Sequence, residues 1–346
     1  MQYTNVMKRK LFLIILAGAL GVGIFSCRYG HYNVNISSIK ADIEIKRLEK
    51  DMFEINPENV AATIPALKQK YGGFLQLFSN VINAGSIDSS SFNDYFVQFS
   101  TDRLNNEVYD SVIKTFPNLT FLEERLSKAF RYYKYYFPDK IIPNIYTCMS
   151  GFNASIIVGD SVLAIGLDRY LGANSGFYPR LGIYKYLSDK MTPQNIVPDC
   201  VYAWVSTEWD FLDIGYETGN VLTEMIHSGK LKYLKKCMLP SEKDELIFGF
   251  SSDQMKFCRN NENQMWTYLI EHNLLFSSEQ LVLRRLMGEA PFTTYFTNES
   301  PGQAAVWIGF RIIESYMKRN TGVTLAELMQ ETDIQKILSR ARYSPK

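Results

Sequence analysis

From residue 56 to residue 136 the hydrophobic positions recur every three or four residues, the period of a helix with one buried face. Val60, Ile64 and Leu67 form the first stripe, which Asn56-Pro57 opens as cap and first helical residue and Gly72-Gly73 stops. Phe92, Tyr95, Phe96 and Phe99 continue the pattern, followed by Leu104, Val108 and Val112, then Leu122, Leu126, Phe130 and Tyr133. Ahead of them Ile43 and Ile45 alternate with charges before Leu48, which predicts an edge strand. Near Pro143 the period turns extended. Ile145-Tyr146-Thr147, Ile156-Ile157-Val158 and Val162-Leu163-Ala164-Ile165 are β-rich runs, and Gly159-Asp160 fits a tight hairpin turn between the last two. Helical spacing returns from Asp213, with Pro240, Gly288, Pro291 and Gly322 as punctuation. Ser300-Pro301 is placed to cap a helix carrying Trp307, Ile308, Ile312 and Tyr316, and Thr324 with Glu327 makes a capping box for the last one. The expected fold class is α+β: a mostly helical body with a small antiparallel sheet. Helices fill the half up to about residue 140, and the sheet with further helices occupies 141–346.

The first 27 residues follow another rule. Lys8, Arg9 and Lys10 precede an almost wholly apolar or glycine run over 11–25, and Ser26-Cys27 follows at once. That is the pattern of a secretory signal, and the run is shorter than the roughly 20 residues that span a bilayer. Ile24-Phe25-Ser26-Cys27 also matches a bacterial lipobox, with a branched apolar residue at −3, a small one at −1 and a Cys to receive lipid; Phe25 is bulky for its place. The expectation is a signal peptide over 1–26, a lipidated Cys27, a tether rich in Asn and Ser over 27–40 and a body over 41–346. A plain cleaved signal with a chance Cys is the competing reading. Acyl chains contribute ~0.8 kcal/mol per buried CH₂, so the mature protein would be held on a membrane without crossing it.

Composition narrows the function classes. Loss of residues 1–26 takes 37 basic residues to 34 against 36 acidic ones, a net charge of −2 with neutral His, and nothing in that balance points to nucleic acid. Past Cys27 four cysteines remain, Cys148, Cys200, Cys237 and Cys258; no CxxC pair exists, so neither a thiol redox motif nor a Cys-type zinc site is indicated. Their pairing in an oxidising envelope is open, and buried unpaired thiols fit equally well. Phe130-Arg131-Tyr132-Tyr133-Lys134-Tyr135-Tyr136-Phe137 reads as a helix end that buries its aromatics and lets its cations snorkel, or as a surface for sugars, peptide or lipid headgroups.

Only three His occur, at 31, 227 and 272, and neither a G-x-S-x-G elbow nor a Walker or Rossmann glycine pattern is present. One spacing carries a candidate chemistry. Thr223-Glu224-Met225-Ile226-His227 looks like H-E-x-x-H with Thr in place of the first His; in the intact motif two His one turn apart hold zinc and the Glu deprotonates its water. Glu224 and His227, supplemented by Glu271 or His272 from a later helix, are the candidate metal ligands. The set is short of a zincin's donors, so the expectation is no bound cofactor and no catalytic residue, with zinc as the alternative. Equally, Glu224 and His227 can be a polar helix face.

Read together, several segments resemble the gliding motility lipoprotein GldB family of Bacteroidota. They are Ser150-Gly151-Phe152-Asn153, Ile165-Gly166-Leu167-Asp168-Arg169-Tyr170-Leu171-Gly172, Met225-Ile226-His227-Ser228-Gly229-Lys230-Leu231-Lys232-Tyr233, Ala290-Pro291-Phe292, and Ser300-Pro301-Gly302-Gln303-Ala304-Ala305-Val306-Trp307-Ile308-Gly309. The resemblance covers about residues 40 to 320. It implies an envelope lipoprotein needed for gliding in gliding species, and a distant likeness to predicted zincin peptidases with the metal helix eroded; Tyr commonly stands where this chain has His227. The fold expectation then sharpens to a zincin-like core with an eroded metal site. The expected membrane is the outer one, and the tether lacks the acidic cluster that resembles a surface-export signal, which favours a body facing the periplasm. The functional expectation is a non-catalytic binding or assembly factor that holds an envelope protein or peptide in a groove between the sheet and helix 213–237. An unconventional zinc peptidase is the alternative.

The anchor is directly testable. Cys27→Ser is expected to move the protein from the membrane fraction to the soluble periplasm, or to leave its signal uncleaved, when fractions are blotted. A cleaved Cys27→Ser protein that stays with the membrane refutes a lipid anchor.

Overall fold

A computed structural model describes residues 32, 34–216 and 219–345, so Cys27 and the signal lie outside the described residues. Four short strands form one sheet: β1 (Ile45–Arg47), β2 (Asn144–Cys148), β3 (Ile156–Gly159) and β4 (Val162–Gly166), in the order β1-β2-β4-β3. The hairpin expected at Gly159-Asp160 is there, one residue on: Gly159 pairs with Val162, and Asp160 and Ser161 make the turn. The sheet as a whole is mixed, which corrects the antiparallel expectation. β2 runs parallel to β4, Ile145 beside Leu163 and Thr147 beside Ile165, and β1 runs parallel to β2. A hairpin's direction is set by its own turn, whereas parallel pairing needs a long crossover whose course local pattern does not encode.

The helices before the sheet are α1 (Leu48–Phe53), α2 (Val60–Tyr71), α3 (Gly73–Val81), α4 (Phe92–Thr101), α5 (Arg103–Thr115) and α6 (Thr120–Tyr136). After it come α7 (Phe177–Arg180), α8 (Lys185–Ser188), α9 (Ile196–Glu208), α10 (Val221–Met238), α11 (Asp244–Phe248), α12 (Ser252–Asn260), α13 (Glu262–Glu271), α14 (Gln280–Met287), α15 (Ala304–Arg319), α16 (Leu325–Gln330) and α17 (Ile334–Ala341). Residues from 36 onward form one compact unit.

Every residue of β4 is buried, because the sheet is covered on both faces. Side chains alternate along a strand, so Val162 and Ala164 join Tyr146, Cys148 and Ile157 in a core with Phe74, Phe78, Phe92 and Phe96 of α3 and α4. Leu163 and Ile165 face the other way, where α9 packs on β3 and β4. α10 packs in turn on α9 and α15. The expected groove between sheet and helix 213–237 is therefore not the arrangement found: the helix on the sheet is α9.

The helix expected from Asp213 begins only at Val221, and α9 precedes it where no helix was expected; two other helix starts move for visible reasons. Asn56 accepts from the backbone N–H of Glu58 and Asn59, so Pro57 sits in that turn and α2 begins only at Val60. Ser300 and Pro301 are tied to Thr293: Thr293 N–H donates to Ser300 Oγ at 3.1 Å, and Thr293 Oγ1 donates to the Pro301 carbonyl at 2.8 Å. α15 starts after them, behind Gln303 at φ 63°. The capping box at Thr324 and Glu327 forms as expected. Phe130, Tyr132, Tyr133 and Phe137 are core, which settles most of the aromatic run, and the four cysteines are buried free thiols.

The tightest element contact is α10 on α15. A Cβ on Gly309 would lie 1.8 Å from the Met225 carbonyl oxygen, and one on Gly229 only 2.4 Å from the Gly309 carbonyl carbon. Gly229 is thus a packing glycine, one of the two roles its sequence position offered.

An exposed helical Gly→Ala exchange ordinarily favours the helix by about 1 kcal/mol. Gly309→Ala should instead destabilise the protein by roughly 1–3 kcal/mol, because backbone atoms and not a mobile side chain obstruct the methyl. Trp307, 3% exposed and 5.1 Å from the Phe248 ring, should lose about 3–5 kcal/mol on truncation to Ala. Urea titrations measure both. A neutral Gly309→Ala, or a loss under about 1 kcal/mol for Trp307→Ala, contradicts this packing.

Candidate functional site

α10 carries the candidate ligands, and its first turn explains the residue that breaks the metal motif. Asn220 Oδ1 accepts from both the backbone N–H and the hydroxyl of Thr223, each at 3.0 Å, so Thr223 is part of the helix cap. One turn on, His227 is 5% exposed and held between rings, with Phe211 at 5.2 Å and Tyr216 at 5.6 Å, both edge to face. Its Nδ1 lies 3.2 Å from the Tyr216 hydroxyl, and Lys230 Nζ lies 3.2 Å from that same hydroxyl. An ammonium only donates, so the Tyr216 hydroxyl accepts from Lys230; between that hydroxyl and His227 Nδ1 the direction of the bond follows the imidazole tautomer.

The surroundings favour a neutral imidazole. Burial first, and then the Lys230 cation, bring His227 down to about 4, with Asp210 opposing. Burial lowers Lys230 to about 8 while Glu331 supports its charge, and the ammonium also donates to the Glu331 carbonyl. Burial raises the Glu224 carboxyl and the Tyr216 hydroxyl. Glu271 and His272 end α13 and are exposed; His272 stacks on Tyr268 at 3.9 Å and bonds its carbonyl at 3.0 Å. Among the described residues no group of three or more His, Cys, Asp or Glu side chains is placed to hold a metal ion. The zincin-like core and eroded metal site therefore find no support among the described residues.

The further charged residues of α10 are the part that the pattern did not reveal. Lys232 and Lys235 are buried; Lys232 Nζ sits 4.1 Å above the Tyr202 ring and Lys235 Nζ reaches the Leu246 carbonyl at 3.4 Å. Burial holds Lys232 well below an ordinary lysine and Lys235 at about 8. Opposite them is the Asp199 carboxylate, raised by burial against the pull of Lys235, the Tyr170 hydrogen bond at 3.0 Å, and Lys232. A lysine at 230, 232 or 235 reads as solvated from sequence alone, since only neighbours distant in the chain enclose it.

Tyr170 belongs to a second latch. Parallel pairing of β2 and β4 sets Cys148 beside Gly166, so the loop after β2 meets the turn after β4. The fully buried Asp168 accepts from the N–H of Ser150 at 3.1 Å, the N–H of Phe152 at 2.5 Å and the Ser150 hydroxyl at 3.2 Å. Close by in sequence, Tyr178 donates to the Asp168 carbonyl at 3.3 Å.

At the surface, α8, the turn from α11 to α12 and the 290–302 loop enclose a cavity of about 470 Å³. Its wall is rigid. Gly302 passes so near Ala290 that a Cβ would fall 2.2 Å from the Ala290 carbonyl oxygen, and Lys190 pairs with Glu289 at 2.9 Å.

What fold and site define is a mostly helical α+β domain with a small four-stranded sheet, whose candidate reactive groups are engaged with one another inside the body. The five segments of the resemblance meet in it: two build the Asp168 latch, one is α10, and two build the cavity wall and α15. This chain belongs to the gliding motility protein GldB family, whose model matches residues 30–345. It is accordingly a gliding-motility-associated protein, and the family's designation is that of lipoproteins. Comparison with curated proteins and with solved structures gave no match.

The engaged His227 makes acid stability a test of the site. Its folded value of about 4 lies below the unfolded 6.5, so the unfolded chain takes up the extra proton as pH falls between them. Stability from this group is intact above pH 6.5 and drains away towards pH 4, by up to about 3 kcal/mol. Urea titrations at pH 7 and pH 4.5 should show a smaller acid loss in His227→Gln than in the parent. Equal losses would mean that His227 is free to protonate in the fold.

Proposed function

We propose that this protein is a periplasm-facing envelope lipoprotein, anchored through Cys27, that acts as a non-catalytic binding or assembly factor for a protein of the gliding or envelope machinery. The observation that carries this reading is where its apolar surface lies. Leu212 is 86% exposed and Phe276 65%, with Leu281 also exposed. Both segments lead to the start of α10: Val221 N–H donates to the Ser277 carbonyl at 3.0 Å and Leu222 N–H to the Leu275 carbonyl at 2.8 Å. Large apolar side chains raised into solvent on hydrogen-bonded loops are what a protein interface uses. The inward-turned, mutually bonded His227, Tyr216 and Lys230 support a body that binds over one that reacts. No helix among the described residues is long and apolar enough to cross a membrane.

Photo-cross-linking in living cells tests the reading. A photoreactive residue at Leu212 or at Phe276 should give the same discrete protein adduct, while one at the exposed Leu104 of α5 should not. Absence of an adduct from both positions overturns the assembly role. Stoichiometric zinc in the purified protein, lost on His227→Ala together with peptide hydrolysis, overturns the non-catalytic one.

A further inference from the structure

The cavity between α8, α12 and the 290–302 loop has a lining of a particular kind. Tyr186 is part of the lining, and Tyr184, outside it, holds its ring parallel to that of Tyr186 within 18°, centroids 6.0 Å apart. Tyr184 is 69% exposed. An aromatic face kept this open gains nothing from the fold and is an expense in water unless something covers it. The rest of the wall mixes apolar residues such as Leu246, Phe250 and Pro291 with polar ones. The Gln194 amide and the Glu245 carboxylate make no hydrogen bond within the protein among the described residues. Gln254 spends only its carbonyl oxygen, accepting from the Ser251 N–H at 3.0 Å, so its two amide protons remain to donate. Ser251 Oγ accepts from the Gln254 N–H at 3.2 Å and keeps its own proton.

These groups select a ligand chemistry. The one lysine of the lining, Lys190, is already paired with Glu289, and Glu245 is acidic, so an anion is disfavoured. No strand contributes to the lining, so an extended peptide finds no sheet edge to join. A pyranose ring has what the site lacks. One of its faces is a layer of C–H bonds that lies flat on a tyrosine ring, and its rim of hydroxyls both donates and accepts. Neighbouring hydroxyls donate to Glu245 and accept from Gln254, while Gln194 serves either role. About 470 Å³ falls within the usual range of small-molecule sites, and the Gly302–Ala290 contact holds the wall in place before any ligand arrives.

We propose that this cavity is a carbohydrate-binding site for a neutral pyranose unit, stacked at Tyr184 and Tyr186 and hydrogen-bonded by Gln194, Glu245 and Gln254. The site is separate from the protein-contact surface at Leu212 and Phe276, so either can fail alone. The natural source of such a ligand in an envelope is a glycan strand or surface polysaccharide.

The test uses the full chain in detergent micelles and titrates two probes, a trimer of N-acetylglucosamine and a trimer of glucose, by saturation-transfer NMR and calorimetry. At least one should bind with a dissociation constant in the high-micromolar to millimolar range, on the order of −4 to −6 kcal/mol. Tyr184→Ala should weaken it at least tenfold, as should Gln194→Leu, both at exposed positions that leave the fold intact by circular dichroism. Tyr135→Ala, an exposed tyrosine on α6, should leave binding unchanged. No binding of either trimer at millimolar concentration overturns the proposal. So does binding that survives Tyr184→Ala, or displacement of the sugar by an apolar peptide that binds more tightly at the same residues.

Discussion

The contact between Gly229 of α10 and Gly309 of α15 is the constraint on which the rest of this protein depends. With no side chain at either position the two helices meet backbone to backbone, and α10 lies deep enough to be covered by α9, α14, α15 and α6 at once. A helix with that many neighbours has no wet side. Its His227, Lys230, Lys232 and Lys235 are therefore drawn under the surface together with its apolar residues.

Burying four ionisable side chains on one helix has a large desolvation cost, and the structure shows how each is met. Lys230 finds a carbonyl and a tyrosine hydroxyl, His227 the same hydroxyl, Lys235 a carbonyl, and Lys232 the face of a tyrosine. Asp199 supplies the counter-charge and is itself held by Tyr170. That tyrosine follows Asp168, whose carboxylate fastens the loop after β2 to the turn after β4. Sheet and helical core are thus joined through a chain of polar contacts, and three of the five segments of the family resemblance fall along it. These contacts give the residues a scaffolding role.

The proposed functions lie at the surface. Exposed apolar side chains at Leu212 and Phe276 and the tyrosine-fronted cavity lie on loops and short helices that the buried framework holds still. A tether with a lipid at one end and a rigid body at the other would present such surfaces at a fixed reach from a membrane, which is a use that needs no reactive centre.

Much of this was legible in the residues. Helical periodicity located α2 and α4 to α6 and placed Trp307 in the core, because burial of one face is a local property repeated every turn. The β-rich runs located β2, β3 and β4, and short motifs carried the family over nearly the whole chain. The same locality set the limits. Whether Gly229 breaks a helix or packs one depends on Gly309, and whether β2 pairs parallel to β4 depends on a crossover, so neither is written in a window of ten residues. Thr223-Glu224-x-x-His227 looked like an impaired metal motif because spacing along one helix is all a sequence shows. Tyr216 and Lys230, which claim His227, come to it only when the chain before α10 folds back and α10 is buried. Sequence determined the periodic helices, the β-rich runs and the family, though not α9 over Ile196–Glu208; tertiary structure decided which charges are buried and what they touch, since burial is set by neighbours far apart in the chain.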